Sequence, residues 1–262
     1  MVFIRLAKIA AIAALAAYAL IVACDNIVDY GSNYEFVRHV LSMDTTFPGN
    51  ALMHRAITDE GVCGDYTVAN TQVVELLTLA DERGSPFWKA YGTAVRGMLF
   101  TETGKASDAV RAITSGITSV RSTGASLYEP FYLWYLAMAY AELGQPDDAR
   151  RCIDEAIDKV ERSKEKWCEA EVHRIAGEIA LKSLTPDAEK AEKYFEHAVA
   201  VARQQQAKSW ELRAAMSLAR LWRSQGKPQQ ARELLAPVYG WFTEGFDTVD
   251  LKEAKALLGE LP

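Results

Sequence analysis

Two hydrophobic patterns divide this chain. From Ile9 to Cys24 the residues are apolar without a break, IAAIAALAAYALIVAC. Beyond about Gly61 apolar residues recur at i, i+3, i+4 and i+7, the spacing that makes one face of a helix apolar. This second pattern is periodic at a longer scale. Small residues stand at Gly97, Ala137, Gly177 and Ala219, in steps of 40, 40 and 42. Ala69, Ala109, Ala149, Ala191 and Ala231 form a second column, and Val73, Ile113, Ile153, Phe195 and Leu235 a third of bulky apolar residues. A turn glycine recurs at Gly64, Gly104, Gly144 and Gly226, where helices are expected to end. In the third repeat Ser183-Leu184-Thr185-Pro186 replaces that glycine and adds two residues. Each period therefore predicts a helical hairpin. Its first helix carries the small residue and its second the alanine and the bulky residue. A lone hairpin cannot bury its apolar face, so the hairpins must stack.

The run Ile9–Cys24 is shorter than the roughly 20 residues that span a bilayer. Counted from Phe3 it is long enough, with Arg5 and Lys8 snorkelling to the headgroups. It lacks the polar stripe of a buried core helix. Residues 3–24 are thus expected to enter the lipid bilayer as a single-pass anchor in a bacterial inner membrane. The two cations before the run place the N-terminus in the cytoplasm and direct the repeats to the periplasm. A cleaved secretory signal is the competing reading. Ile21-Val22-Ala23-Cys24 also fits a lipobox that would leave a lipid on Cys24.

The stretch after the run carries DYGSN, FVRHVLSMDTTFPGNAL and RAI within residues 29–57. With these motifs residues 1–57 resemble a family of small bacterial integral membrane proteins of unknown function. The resemblance implies that the first helix is retained in the membrane. No second long apolar run follows Ile57, so the membrane bundle of that family is not expected here.

The hairpin spacing resembles the tetratricopeptide repeat, lengthened from 34 residues to about 40 by stretches such as SVRSTGASLYEP. FWKAYGT, YLAMAYAELGQPDDA, QQAKSWELRAAMSLARLWRSQGK and ARELLAPVYGWFTEGFDTVDLKEAKALL resemble the C-terminal repeats of bacterial class III adenylate/guanylate cyclases with an ATPase module. That resemblance implies a regulatory or interaction region, and cytoplasmic repeats. The expected fold is all-α: a tetratricopeptide-like solenoid of about 3.5–4 hairpins and a C-terminal capping helix, behind one transmembrane helix. The expected domains are an anchor at 1–24, a linker at 25–60 and the repeats at 61–262.

Charge and chemistry narrow the function. The net charge is −6, without the basic footprint of a nucleic-acid binder. Cys24, Cys63, Cys152 and Cys168 have no CxxC spacing, and the last three read as small buried hydrophobes. LFTETGKAS at Leu99–Ser107 approximates a phosphate loop. It lacks the first glycine and the Ser/Thr after Lys105, and a helix precedes it where a strand is required. Neither GxSxG nor HExxH occurs. His39, His54 and Asp44 match no common ligand spacing. Glu169 and His173 share a helical face beside Cys168, but the linear sequence offers no third ligand. No enzyme activity, cofactor or metal is expected.

What remains is a surface. In tetratricopeptide stacks the first helices line the inner groove. That carry-over selects Tyr91, Met98, Phe131, Trp134, Met138, Arg174, Glu178, Arg213, Arg220 and Arg223. The early part is apolar and aromatic, the last basic. Arg213 and Arg220, seven apart, lie about 20° from each other on a helix. With Arg223 they suit the carboxylates of an acidic peptide; alternatively they pair on the surface with Glu211 or Glu233. The expected partner is a protein or peptide, or a second copy of the chain. The first reading is a membrane-tethered interaction module. The alternative is a regulatory fragment of a nucleotide cyclase/ATPase system encoded elsewhere.

Overall fold

The computed structural model of the chain describes residues 66–126, 128–163, 166–183 and 185–262. The described residues all belong to one compact unit, residues 60–262. The predicted anchor, the lipobox, His39, His54 and Cys63 lie outside the described residues. Among those that are described, no helix is long and apolar enough to cross a membrane.

The described helices are α1 (Tyr66–Glu82), α2 (Pro86–Glu102), α3 (Ala106–Ser122), α4 (Glu129–Glu142), α5 (Pro146–Ser163), α6 (Glu169–Lys182), α7 (Ala188–Gln204), α8 (Lys208–Ser224), α9 (Pro228–Tyr239) and α10 (Val249–Gly259). A 3₁₀ turn at Lys166–Cys168 leads into α6. Four hairpins follow α1: α2–α3, α4–α5, α6–α7 and α8–α9. The element order is the one the columns predict, with α1 as the second helix of a shortened first repeat.

The turns explain where the helices stop. Gly104, Gly144 and Gly226 adopt left-handed φ values of 70°, 70° and 76°. The next amide then reaches back: Lys105 to the Phe100 carbonyl, Gln145 to Tyr140, Lys227 to Trp222, at 2.8–2.9 Å. In the third hairpin the closing bond runs from the Asp187 amide to the Ala180 carbonyl, two residues longer. There the Asp187 side chain caps α7 by accepting from the Lys190 amide at 2.9 Å.

The columns are the core. Ala109, Ala149, Ala191 and Ala231 are each 0 % exposed, and Ile113, Ile153, Phe195 and Leu235 are buried beside them. A Cβ added at Gly177 would lie 2.4 Å from Phe195 Cε1, and one at Gly97 2.5 Å from Ile113 Cγ1. The small residue in the first helix therefore admits the bulky residue of the second. Successive helices pack on each other, and so do the first helices of neighbouring hairpins, α2 with α4, α4 with α6 and α6 with α8. This second set of contacts puts the first helices on the inner side of the stack. Leu251, Ala254, Leu257 and Leu261 bury α10 and the residues just beyond it against α8 and α9, which closes the stack.

Candidate functional site

The groove follows from the stacking. A cavity of about 670 Å³ lies on the inner side, lined by α2, α8 and the segment Phe242–Glu253. Met98, Arg174, Arg213 and Arg220 line it, with Tyr66, Glu102 and Tyr135. A second cavity of about 380 Å³ takes Met138 and Glu178 and shares Arg174. Tyr91, Phe131 and Trp134 stand elsewhere. They belong to a ladder of rings along the starts of the first helices, from Phe87 through Tyr91 and Tyr128 to Trp167. Phe131 meets Trp134 at 4.7 Å between centroids, and Trp134 meets Trp210 at 5.8 Å. Trp134 is buried within this ladder, while Trp88 and Trp167 are exposed.

An ion network runs through the centre of the groove. Glu171 of α6 is 2 % exposed. Arg174, one turn on, donates to both its oxygens at 2.7 and 2.9 Å. Arg213 of α8 adds a contact at 2.9 Å. Burial alone would push the Glu171 carboxyl up. Arg174 and Arg213 outweigh it and hold the carboxyl below its ordinary value. Ser217 donates to Glu178 at 2.7 Å. The opposite holds at Asp250 of α10: burial and the nearby Glu171 and Glu253 raise it, against the pull of Arg213 and Arg174.

The three arginines of the basic row face carboxylates of α10 and the residue after it, although Arg213 lies closer to Glu171. Arg213 is 3.9 Å from Asp250, Arg220 is 2.7 Å from Glu253, and Arg223 is bonded to Glu260. Glu211 and Glu233 are engaged elsewhere, Glu211 with Arg203 and Lys208, Glu233 with Gln229. The C-terminal helix, expected from the sequence as a cap, also carries acidic side chains toward this row. The signal for its second role was present: Asp250 and Glu253 lie one turn apart, off the line of Leu251, Ala254 and Leu257.

The fold also supplies what the linear sequence withheld at Glu169 and His173. His197 of α7 comes against them, and the ligand atoms of all three lie within 4.8 Å of one another. The two imidazole centroids are 4.2 Å apart. Burial and the facing His197 push the His173 imidazole down to about 4. Among the described residues, Cys152 and Cys168 form no disulfide; Cys168 is buried, and burial pushes the half-buried Cys152 thiol up to about 11. Lys105 of the loop-like segment is an exposed turn residue whose Nζ stands 5.8 Å from the Phe100 ring centroid.

Comparison with known proteins agrees with this architecture at a coarse level. No curated protein matches the chain. The crystal structure of BtubC (BKLC) from P. vanneervenii is similar over 81% of this chain and 80% of that one, with a TM-score of 0.56 and 16% identity. At that identity the likeness concerns the fold alone. Residues 4–76 match the family described as predicted small integral membrane protein (DUF2165). The match extends beyond the expected boundary at residue 57 into α1. Residues 130–162 match the tetratricopeptide repeat, and they span the hairpin α4–α5. Neither matched family is a cyclase or an ATPase. The chain is thus similar to a predicted integral membrane family over residues 4–76 and to the tetratricopeptide repeat over one hairpin of its all-helical stack.

Proposed function

We propose that the stack is a docking platform for a protein segment rich in carboxylates, tethered to the membrane through residues 3–24. One observation carries the reading: Arg213 and Arg220 line the inner cavity, Arg223 follows three residues on, and the C-terminal segment of the same chain sets Asp250, Glu253 and Glu260 against them. Surface ion pairs of this kind contribute little to stability, about 0–1 kcal/mol each. Exchanging one carboxylate partner for another therefore costs the fold almost nothing. Tetratricopeptide repeats generally bind proteins, and the match at 130–162 supports that class of partner. No observation favours a cyclase or ATPase partner over others.

Two variants with opposite expectations test the reading. Arg220 and Arg223 have half-exposed side chains, whereas Arg213 also supports buried Glu171, so Arg213 is left intact. A photo-crosslinker placed at the groove of the membrane-bound chain should lose its captured partner in Arg220→Glu/Arg223→Glu. Capture should rise severalfold in Glu253→Gln/Glu260→Gln, where the internal competitor is weakened. The same capture at the same level in both double variants removes the basic row from the binding site.

A further inference from the structure

The repeat supplies its own internal control at the start of each first helix. Glu129 of α4 corresponds to Glu169 of α6, 40 residues on, and Glu155 of α5 corresponds to His197 of α7, 42 residues on. In the second hairpin a cation joins these two positions. The Arg121 guanidinium donates to Glu129 and, at 2.6 Å, to Glu155. The fourth hairpin keeps half of this arrangement, with Arg203 bonded to Glu211 at 2.8 Å. Arg121 and Arg203 both stand eight residues before their glutamate; in the third hairpin that position is Glu161. At the two positions that Arg121 joins in the second hairpin, the third therefore has a carboxylate and an imidazole, and His173 stands beside them.

Those three groups converge. Glu169 and His173 lie one turn apart on α6, and exposed His197 reaches across from α7. Nδ1 of His173 is buried and has no hydrogen-bond partner. Buried polar atoms without partners are few, and each needs an explanation. Two imidazole nitrogens and one carboxylate oxygen are a donor set for Zn²⁺, with the fourth tetrahedral position left to water. Ligand atoms around tetrahedral zinc stand about 3.3 Å apart, given metal–ligand distances near 2.0 Å. Closing the shell requires side-chain rotation from a separation of up to 4.8 Å. The competing cation is Lys166, whose Nζ lies 3.0 Å from Glu169 Oε1.

We propose that Glu169, His173 and His197 form a binding site for a divalent transition metal of the zinc type, which ties α6 to α7 as Arg121 ties α4 to α5. The metal stabilises the folded hairpin because it binds the assembled site and not the separated strands of chain.

The test uses the full-length chain in detergent, stripped with a chelator and titrated with zinc chloride against a chromophoric competitor. His39→Ala/His54→Ala removes the other two histidines of the chain. That variant should bind one zinc, and its unfolding temperature should rise with zinc. Adding His197→Ala should weaken binding by more than about a hundredfold, beyond what loss of a mere supporting partner costs. Because His197 is exposed, its circular dichroism should not change. Glu169→Gln serves as the second ligand variant, and Lys166→Ala should tighten binding. Zinc affinity unchanged by both His197→Ala and Glu169→Gln overturns the site, as does a His39→Ala/His54→Ala chain that binds no zinc below millimolar concentration.

Discussion

Hairpins α4–α5 and α6–α7 share a plan and fill it with different atoms. Where the two helices cross, one has Ala137 and Ile153; the other has Gly177 and Phe195. The methyl removed from the first helix is replaced by the ring edge of the second, so the filled volume is kept while the residues change. The buried carboxylates differ as well. Glu129, at the start of α4, is held by Arg121 from the preceding helix and by Lys159 of α5. Glu171 sits deeper in α6 and is held by Arg174 and by Arg213 of the next hairpin. Hairpin two is stitched backwards and hairpin three forwards. In a repeat stack, stability is a sum of units and interfaces. Here two units of equal fold place their ionic contacts at opposite interfaces.

The largest expected effect tests that asymmetry. Glu171→Ala should destabilise the stack by about 3–4 kcal/mol, since it strands the largely buried Arg174 beside Arg213. Glu129→Ala should cost less, about 1–2 kcal/mol, because Arg121 is 46% exposed and regains water. Urea midpoints of the two variants check this, and equal losses would erase the distinction between the hairpins. Next comes the crossing. Gly177→Ala should cost about 2 kcal/mol by overpacking against Phe195. In the background of Phe195→Ile, which restores the pairing of hairpin two, the same substitution should be close to neutral. A double-mutant cycle that shows no coupling would mean the ring does not occupy the glycine's place.

The smallest effect is in pH. Glu171 and Glu129 are both held below the ordinary carboxylate range: burial works against each, and the facing cations prevail. A depressed folded value stabilises above the unfolded value and is lost as pH falls through the folded one. The stability gap between the parent and Glu171→Gln should therefore hold from pH 7 to about 5 and shrink below about 4. A gap that widens on acidification would reverse the assigned direction.

Much of this fold was legible in the sequence because its columns encode contacts between neighbours. Gly177 and Phe195 stand in separate columns of the same repeat, and the left-handed glycines mark where each hairpin turns. The longer third turn was legible for the same reason. The ion network was not. Arg213 meets Glu171 of the preceding hairpin, and nothing in any column says which of several cations a carboxylate will find. His197 was hidden because its equivalents are Glu155, Ser115 and Pro237, which share no chemistry. The residues of the expected groove fall in different places for a geometric reason. Met98, Arg174, Arg213 and Arg220 line the larger cavity, where first helices face one another. Tyr91, Phe131 and Trp134 lie nearer the helix starts, where Trp167 and Trp210 join them from positions that no column contained.

The C-terminal helix separates how it is seated from how it neutralises charge. Its leucines keep it in place, whereas Glu253 and Glu260 reach the arginines through exposed, rotatable side chains. Such side chains change rotamer in picoseconds to nanoseconds, far faster than a helix undocks. The acidic segment proposed above would thus compete with carboxylates that the chain itself holds at an effective concentration on the order of millimolar. Under the proposed docking, weak or singly charged visitors would be filtered out by that competition, while one presenting several carboxylates in register would displace Glu253 and Glu260 and leave every hairpin closed.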